Sequence, residues 1–235
     1  MSEQRVRIAD DLDLDKIIDS GQCFRPARRN AGWYCFPAGQ RLIYLRPESE
    51  NGYIIRCPEG EWESFWQDYF DLGRNYAALC EKLHGQSVFL DKALAYGKGI
   101  RVLRQDPWEM LVTFIISQRK SIPAIRTAVN LLSERYGTPV DTNGEVVHLF
   151  PTPTQLNQAS EEDLAACGLG YRTRYIKKAA ELAASGQLDM EALRSLPDEE
   201  LYQELLTLDG VGKKVANCVC LFGYSRTGMV PVVVW

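Results

Sequence analysis

The sequence predicts an α+β fold, in which a small antiparallel sheet domain is followed by a helical domain. The first observation is a series of short, β-rich segments before residue 60, most of them separated by Gly, Pro or Asn. The second is a change to helical periodicity, which starts near residue 60 and dominates after Gly99. We therefore place a sheet domain with flanking helices at 1–98 and a helical domain at 99–235.

Length and composition are typical of a globular protein. The 235 residues suffice for one large domain or two ordinary ones, and 46% of them are hydrophobic while 25% are charged. No apolar run reaches the length of about 18 residues that a membrane helix needs, and the N-terminus lacks the apolar core of a signal peptide. We expect no interaction with a membrane.

The cysteines indicate a reducing compartment. There are seven, without a regular framework, which suits the cytoplasm of a bacterium or the nucleus of a eukaryote. Cys218 and Cys220 are the only close pair, and the histidines are His84 and His148. This spacing spells out no zinc or iron–sulfur site, so we expect neither a metal nor another cofactor.

The sheet domain is predicted from short segments and one early helix. The strand segments are 5–8, 33–36, 41–45 and 53–57. A short helix is predicted over 14–19, and it ends at Ser20-Gly21-Gln22. Segment 61–70 carries five aromatic residues at helical spacing. Such a face belongs more often to a core than to a ligand-binding site.

The helical domain is predicted to begin its first helix at Pro107, because a proline in the first turn after Asp106 as the N-cap is typical of a helix start. Further helices are predicted over 123–136, 161–167, 174–185 and 198–206. Gly137 follows the first of these, Ser160 caps the second, and the glycine turn 168–170 precedes the third.

The stretch after the last of these helices reads as a hairpin between two helices. Gly210 and Gly212 make a tight turn whose backbone N–H groups can face an anion. A second apolar helical pattern follows, so we predict a helix-hairpin-helix near 198–222. Lys213 and Lys214 stand at the start of the second helix, where the helix end is already positive. A nearby anion, or a lysine needed in its neutral form, would explain them.

Cationic residues concentrate at three places in the helical half. These are Arg119-Lys120 with Arg126, the stretch 171–178, and Lys213-Lys214. Each place lies beside a turn or a helix end, which favours a surface that follows the phosphates of a nucleic acid over a merely solvated helix face. The net charge of −4 leaves room for such a local basic surface. Tyr171 either stacks on bases there or anchors its own loop as a half-buried tyrosine.

Lys214 is the candidate nucleophile. A lysine amine attacks only when it is neutral. We expect the positive helix end, the adjacent Lys213 and partial burial beside Val215 and Cys218 to favour that form. A lysine that binds phosphate is an equally good interpretation. For Cys218, packing within an apolar helix is the ordinary alternative to a functional role.

Segment 208–220 resembles the helix-hairpin-helix of the base-excision DNA glycosylases. The likeness is greatest to the 8-oxoguanine DNA glycosylase/lyases, whose hairpin carries G-V-G-x-K-V-A-x-C. Four further segments agree with that family in the same order along nearly the whole chain. They are 20–25, 103–107, 114–118 and 168–176.

The resemblance implies a monomeric repair enzyme that removes 8-oxoguanine from double-stranded DNA and nicks the strand. Lys214 would be the Schiff-base lysine, which attacks C1′, displaces the base and permits β-elimination 3′ to the lesion. The damaged base must first leave the stack, at a cost of roughly a few kcal/mol.

The same resemblance assigns residues to the lesion and to the gap that it leaves. Tyr171 would wedge into the duplex, and Arg172 would contact the estranged cytosine. The main-chain carbonyl of Gly21 would accept the N7–H that 8-oxoguanine has and guanine lacks. Cys218 would lie against the flipped base.

Further residues are assigned to the DNA around the lesion. The hairpin would hold a backbone phosphate without reading sequence, through Gly210, Gly212 and Lys213. Better-known members of the family carry an Asn-rich triplet that helps to read the orphan cytosine. This chain has Arg119-Lys120-Ser121 there, which changes the residues available to select the opposite base.

A second departure concerns the family's P-V-D-V segment, whose aspartate caps a helix and supports the developing cationic sugar. This chain reads Pro231-Val232-Val233-Val234, so Val233 stands where that carboxylate belongs. The chain also stops at Trp235, before the helix that would close the lesion pocket. We therefore expect a C-terminally truncated form with impaired activity.

Two other functions remain open at this point. One is a related glycosylase that acts on adenine or on oxidised pyrimidines. The other is a non-catalytic protein that recognises damaged duplex, because hairpins of this kind also occur in DNA-binding modules without activity. Covalent trapping of a lysine adduct separates the enzymes from the binding protein.

Overall fold

The structure is a computed structural model that describes residues 1–142 and 144–231. It contains two compact units, of which the first comprises 1–36 and 42–104. The second comprises 37–41 and the chain from residue 105 onward. A small antiparallel sheet precedes a helical part, so the predicted α+β class is confirmed. The predicted domain boundary, between residues 98 and 99, lies ahead of the division observed between 104 and 105.

The sheet has five strands in the order β1-β5-β4-β3-β2. The strands are β1 Ser2–Arg7, β2 Ala27–Arg28, β3 Tyr34–Ala38, β4 Arg41–Pro47 and β5 Gly52–Cys57. The pairs β1–β5, β4–β5 and β2–β3 run antiparallel. All four predicted strand segments lie within or overlap these strands. β2 was not predicted, because two residues are too few to show an alternation.

Two helical segments of the first unit, one before the sheet's central strands and one after its last strand, contribute buried side chains to the core. α1 spans Leu14–Asp19, as predicted, and the Asp13 carboxylate caps it by accepting from Lys16 N. The predicted aromatic segment forms a π-helical turn, Trp62–Trp66, that continues as α2, Gln67–Tyr69. Its rings pack on one another and on the sheet, with Trp66 and Phe70 fully buried. The aromatic face is therefore core.

Two helices of the first unit were not predicted individually. They are α3 Tyr76–Leu83 and α4 Val88–Gly97. Their residues are all at least partly exposed, Val88, Phe89 and Tyr96 strongly so, and their apolar side chains therefore do not mark one core-facing stripe. Capping by Asn75 and Ser87 starts them.

The described residues of the second unit form seven α-helices, several short π- and 3-10-helical turns, and one small hairpin. The helices are α5 Pro107–Ser117, α6 Ile122–Tyr136, α7 Pro153–Gln158, α8 Glu161–Leu164, α9 Thr173–Ala184, α10 Asp198–Leu206 and α11 Lys213–Tyr224. The hairpin joins β6 Pro139–Thr142 to β7 Glu145–His148. This hairpin and α7 were not predicted. The other helices were, with α10 matched at both ends.

The helix α5 is the centre of the second unit. All of its residues are buried, and the Asp106 carboxylate caps it by accepting from Glu109 N at 2.7 Å, as predicted. It packs against α11 through the rings of Phe114 and Phe222, whose centroids lie 5.7 Å apart. A Cβ at Gly223 would lie 3.0 Å from the Cα of Pro107, so glycine lets these helices approach closely. α5 thereby sets the position of the helix that carries Lys214.

Within the described ranges, no helix is both long and apolar enough to cross a bilayer.

Candidate functional site

The hairpin between α10 and α11 has the geometry that its glycines predict. Gly210 has a φ of +80°, which glycine adopts without strain. A Cβ there would lie 2.5 Å from ring carbons of Tyr175, so the turn also packs closely on α9. Gly212 is extended, with φ −95° and ψ 177°, and serves as the N-cap of α11. Because glycine has no side chain, the first N–H groups of α11 remain available to solvent or an anion.

Lys213 and Lys214 occupy the first turn of α11, and both are exposed. The expectation that Lys214 is partly buried is therefore wrong. The core face of this turn is formed by Val215 and Ala216, which are 3% and 0% exposed, and the lysines lie on the other side. Exposure leaves the Lys214 amine accessible to a substrate.

Cys218 lies one turn after Lys214 on the same side of α11. It is buried, and burial raises the pKa of its thiol to about 11, while the charge of Lys214 acts in the opposite direction. Cys218 is therefore a neutral thiol at physiological pH. The electrostatic interaction shows that the structure brings the two predicted residues together.

Tyr171 lies on a glycine loop, residues 168–172, which we call the wedge loop. Gly168 and Gly170 have φ values of +73° and +59°, so the loop uses left-handed conformations that other residues rarely adopt. The side chain of Tyr171 is 51% exposed. Its ring makes an edge-to-face contact with Tyr175, at 6.1 Å between centroids. The exposed ring is presented by a compact turn.

Arg172 faces the protein interior. It is 6% exposed, and its guanidinium donates to the carbonyl oxygens of Leu169, at 3.2 Å, and of Gln118. Its Cζ lies 4.4 Å from the ring centroid of Tyr171. The cation lies beneath the tyrosine, so any contact between Arg172 and a base requires it to leave these carbonyls.

The segment after α5 contacts both the hairpin and the wedge loop. Gln118 Nε2 donates to the carbonyl of Gly210 at 2.9 Å. Lys120 Nζ donates to the carbonyl of Gly168 at 2.7 Å. Arg119, between them, is exposed and has a φ of +52°. Gln118 was not predicted as a site residue, since its role depends on a contact 92 residues away.

The other cations of the stretch 171–178 divide between structural and exposed positions. Lys177 Nζ donates to the carbonyls of Asn157 and Ala159 and so stabilises the end of α7. Lys178 pairs with Glu181 at 3.7 Å. Arg174 lies exposed, and its guanidinium donates to the Tyr175 hydroxyl at 2.9 Å. A surface in which all of these cations face outward is therefore not what the structure shows.

Gly21 belongs to the first unit, in a loop held by its neighbour. It is half-buried and has a φ of +78°. The buried amide of Gln22 donates to the carbonyl of Arg101 at 2.9 Å and accepts from Leu103 N at 2.8 Å. These two bonds give the loop that carries Gly21 a defined shape.

Three further observations concern the cysteines, possible metal ligands and Val233. The seven cysteines, all within the described residues, form no disulfide bond. Among residues 1–142 and 144–231, no group of three His, Cys, Asp or Glu side chains is arranged to hold a metal ion. Val233 and Trp235 lie outside the described residues, so the missing carboxylate remains an observation on the sequence.

Comparison with known proteins assigns both halves of the chain. Residues 5–111 match the family of the 8-oxoguanine DNA glycosylase N-terminal domain. Residues 112–232 match the HhH-GPD superfamily of base excision DNA repair proteins. The second match covers more than half of the chain and includes the hairpin, the wedge loop and Lys214.

Individual relatives agree with these families. An N-glycosylase/DNA lyase of Saccharomyces cerevisiae is 31% identical over 94% of this chain and 65% of its own length. One of Arabidopsis thaliana is 29% identical over 94% of this chain and 63% of its own length. The chain thus spans less than two thirds of either curated relative.

A solved structure extends the agreement to three dimensions. The 8-oxoguanine glycosylase/lyase of Clostridium acetobutylicum, in complex with double-stranded DNA containing cytosine opposite 8-oxoguanine, has a TM-score of 0.92 and 34% identity. The match covers 100% of this chain and 82% of that one. The chain therefore belongs to the HhH-GPD superfamily of base excision DNA repair proteins and, within it, to the group of the 8-oxoguanine DNA glycosylases.

Proposed function

We propose that this protein removes 8-oxoguanine from double-stranded DNA and then nicks the strand at the resulting site, with Lys214 as the nucleophile. The observation that carries the proposal is the place of Lys214. Its exposed amine lies in the first turn of α11, directly after the glycine hairpin, in a chain of this repair family. We propose that it acts as a monomer.

The reaction needs one amine and an activated sugar. The neutral Nζ of Lys214 attacks C1′, a C–N bond forms, and the glycosidic bond breaks as the base leaves with its electrons and takes up a proton. Nζ, which loses a proton after the attack, then forms a C1′=N double bond as the C1′–O4′ bond breaks and O4′ takes up a proton, which gives the imine. Loss of a proton from C2′ then expels the 3′ oxygen, which breaks the strand.

The DNA is held at the hairpin and separated at the wedge loop. The uncapped N–H groups after Gly212, with Gly210 and Lys213, bind a backbone phosphate. Tyr171 enters the stack, where an aromatic ring can replace the extruded base. These contacts fix the position of the lesion without reading sequence.

Recognition of the bases falls to three further places. The Gly21 carbonyl accepts N7–H of 8-oxoguanine, and Cys218 packs against the flipped base as a neutral thiol. The exposed Arg119 flanks the base opposite the lesion, and Arg172 reaches that base once its guanidinium leaves the carbonyls of Leu169 and Gln118. The solved complex of the Clostridium acetobutylicum protein, which contains cytosine opposite 8-oxoguanine, supports this choice of substrate.

Borohydride trapping tests the nucleophile. The protein is mixed with a duplex containing one 8-oxoguanine opposite cytosine, and borohydride reduces any imine to a stable amine. We expect a covalent protein–DNA adduct that disappears in Lys214→Gln and persists in Lys213→Gln, the matched control one residue earlier.

Three other results would contradict the proposal. An adduct that survives in Lys214→Gln shows that another amine is the nucleophile. Binding to the damaged duplex without any adduct identifies a non-catalytic binding protein. An adduct that forms only with an oxidised pyrimidine or a mispaired adenine identifies a related glycosylase of different specificity.

A further inference from the structure

Lys120 connects the end of α5 to the start of the wedge loop. Its Nζ donates to the carbonyl of Gly168 at 2.7 Å. The other end of the loop is fastened to the same segment, because the guanidinium of Arg172 donates to the carbonyl of Gln118. The loop is therefore held at both ends by residues 118–120.

The two fastenings bring two cations close together. Burial and the charge of Arg172 lower the pKa of the Lys120 ammonium. Neither Lys120 nor Arg172 forms an ion pair with any residue that the structure describes. The repulsion between them is tolerated because each cation donates to a carbonyl oxygen, a bond that is stronger for a charged donor than for a neutral one.

The wedge loop combines two flexible residues with buried neighbours. Its two left-handed glycines lose more conformational freedom on ordering than other residues would. Cys167 and Leu169, on either side of Gly168, are fully buried and anchor the backbone there. The bond from Lys120 adds a restraint on the carbonyl of Gly168 itself.

We propose that Lys120 is a positioning residue, which holds the wedge loop in the shape from which Tyr171 enters the duplex. This inference rests on the proposed function, because it takes Tyr171 as the wedge. A ring that must enter a base stack gains most from a support that is already ordered, since ordering then costs no further free energy when DNA binds. Lys120 contacts the wedge loop and lies outside the helix that carries Lys214, so we expect it to influence the reaction through the loop.

Amide hydrogen exchange on the free protein tests the support itself. In Lys120→Met, which removes the ammonium but keeps a long side chain, we expect amides of residues 169–172 to exchange at least tenfold faster. A tenfold change corresponds to about 1.4 kcal/mol of opening free energy. Amides of α11 should exchange as in the wild type, which shows that the unit remains folded. Lys120→Arg, which can still donate to Gly168, and the exposed control Lys92→Met should both match the wild type.

Kinetics on DNA test the consequence. At saturating enzyme, Lys120→Met should excise 8-oxoguanine at least tenfold more slowly, with the rate restored in Lys120→Arg. β-Elimination at a preformed abasic site should change less than twofold, because no base has to be extruded there. 2-Aminopurine placed beside the lesion should show a correspondingly smaller rise in fluorescence.

Several outcomes would overturn the proposal. If the amides of residues 169–172 exchange in Lys120→Met as in the wild type, Lys120 does not support the loop, whatever the activity of the variant. Faster exchange with normal excision and normal fluorescence shows that the support does not position the wedge. Equal losses of excision and β-elimination point to a phosphate contact instead. If the wild-type protein excises nothing, the proposed function fails on its own, while exchange and 2-aminopurine fluorescence still compare the variants.

Discussion

A valine side chain has no atom that can accept a hydrogen bond or offset a developing positive charge. Val233 stands where the family resemblance places an aspartate with both tasks. We expect Val233→Asp to raise single-turnover excision of 8-oxoguanine by about 10². Val234→Asp, which adds the same charge one residue later, is the control. An excision rate that does not rise in Val233→Asp, or that rises equally in both variants, would show that a carboxylate at position 233 does not assist excision.

Single residues show how far the sequence alone could reach. That Lys214 and Cys218 lie near each other on α11 could be predicted, because a helix fixes which residues share a face. The exposure of Lys214 was not foreseen, since the direction in which a first turn faces depends on packing with other helices. Likewise, the burial of Arg172 depends on Gln118, which lies 54 residues away in sequence.

The hairpin is the element whose shape depends most on one residue type. Gly210 combines a positive φ with close contact to Tyr175, so Gly210→Ala adds both backbone strain and overpacking. We expect it to lower the free energy of unfolding by about 2–4 kcal/mol, measured by urea denaturation.

Gly212→Ala is the matched control two residues later. Gly212 has a negative φ, and among the described residues no atom lies within 4 Å of a Cβ built there. We expect a loss of less than about 1 kcal/mol, from the poorer N-cap alone. Equal losses in the two variants would show that the turn is not the strained part of this element.

Elements were predictable where the sequence contains their end signals. α1 and α10 were predicted with both ends, and Asp106 and Ser160 were recognised as caps. The β6–β7 hairpin was missed, because strands of four residues show too little alternation to stand out among helices. α7 has only six residues, and the signals that could have revealed it are Pro153 in its first turn and its capping box, Thr152 with Gln155.

At the scale of the whole molecule, a net charge of −4 must be reconciled with a polyanionic partner. Exposed cations at Arg119, Arg174 and Lys213 supply local positive charge that the average conceals. Each phosphate that such a residue neutralises releases counterions and adds about 0.9 to the slope of log affinity against log salt.

We therefore expect affinity for a damaged duplex to fall at least about tenfold between 50 and 200 mM salt. Fluorescence anisotropy across that range measures the slope. Lys213→Gln should reduce this slope by about 1. Lys92→Gln, which removes an exposed lysine with no proposed role in DNA binding, should leave the slope unchanged. A response that does not vary with salt would argue against DNA as the partner.

The amide of Gln22 has a consequence for the order in which the first unit assembles. Its two bonds join residues 79 and 81 positions apart in sequence. Contacts of such high contact order form late, because the chain between them must first be brought together. During synthesis, the loop at Gly21 therefore cannot take its final shape until more than a hundred residues have left the ribosome. The loop at Gly21, to which the proposed function assigns recognition of the damaged base, is therefore among the first segments to be synthesised and among the last to reach its final conformation.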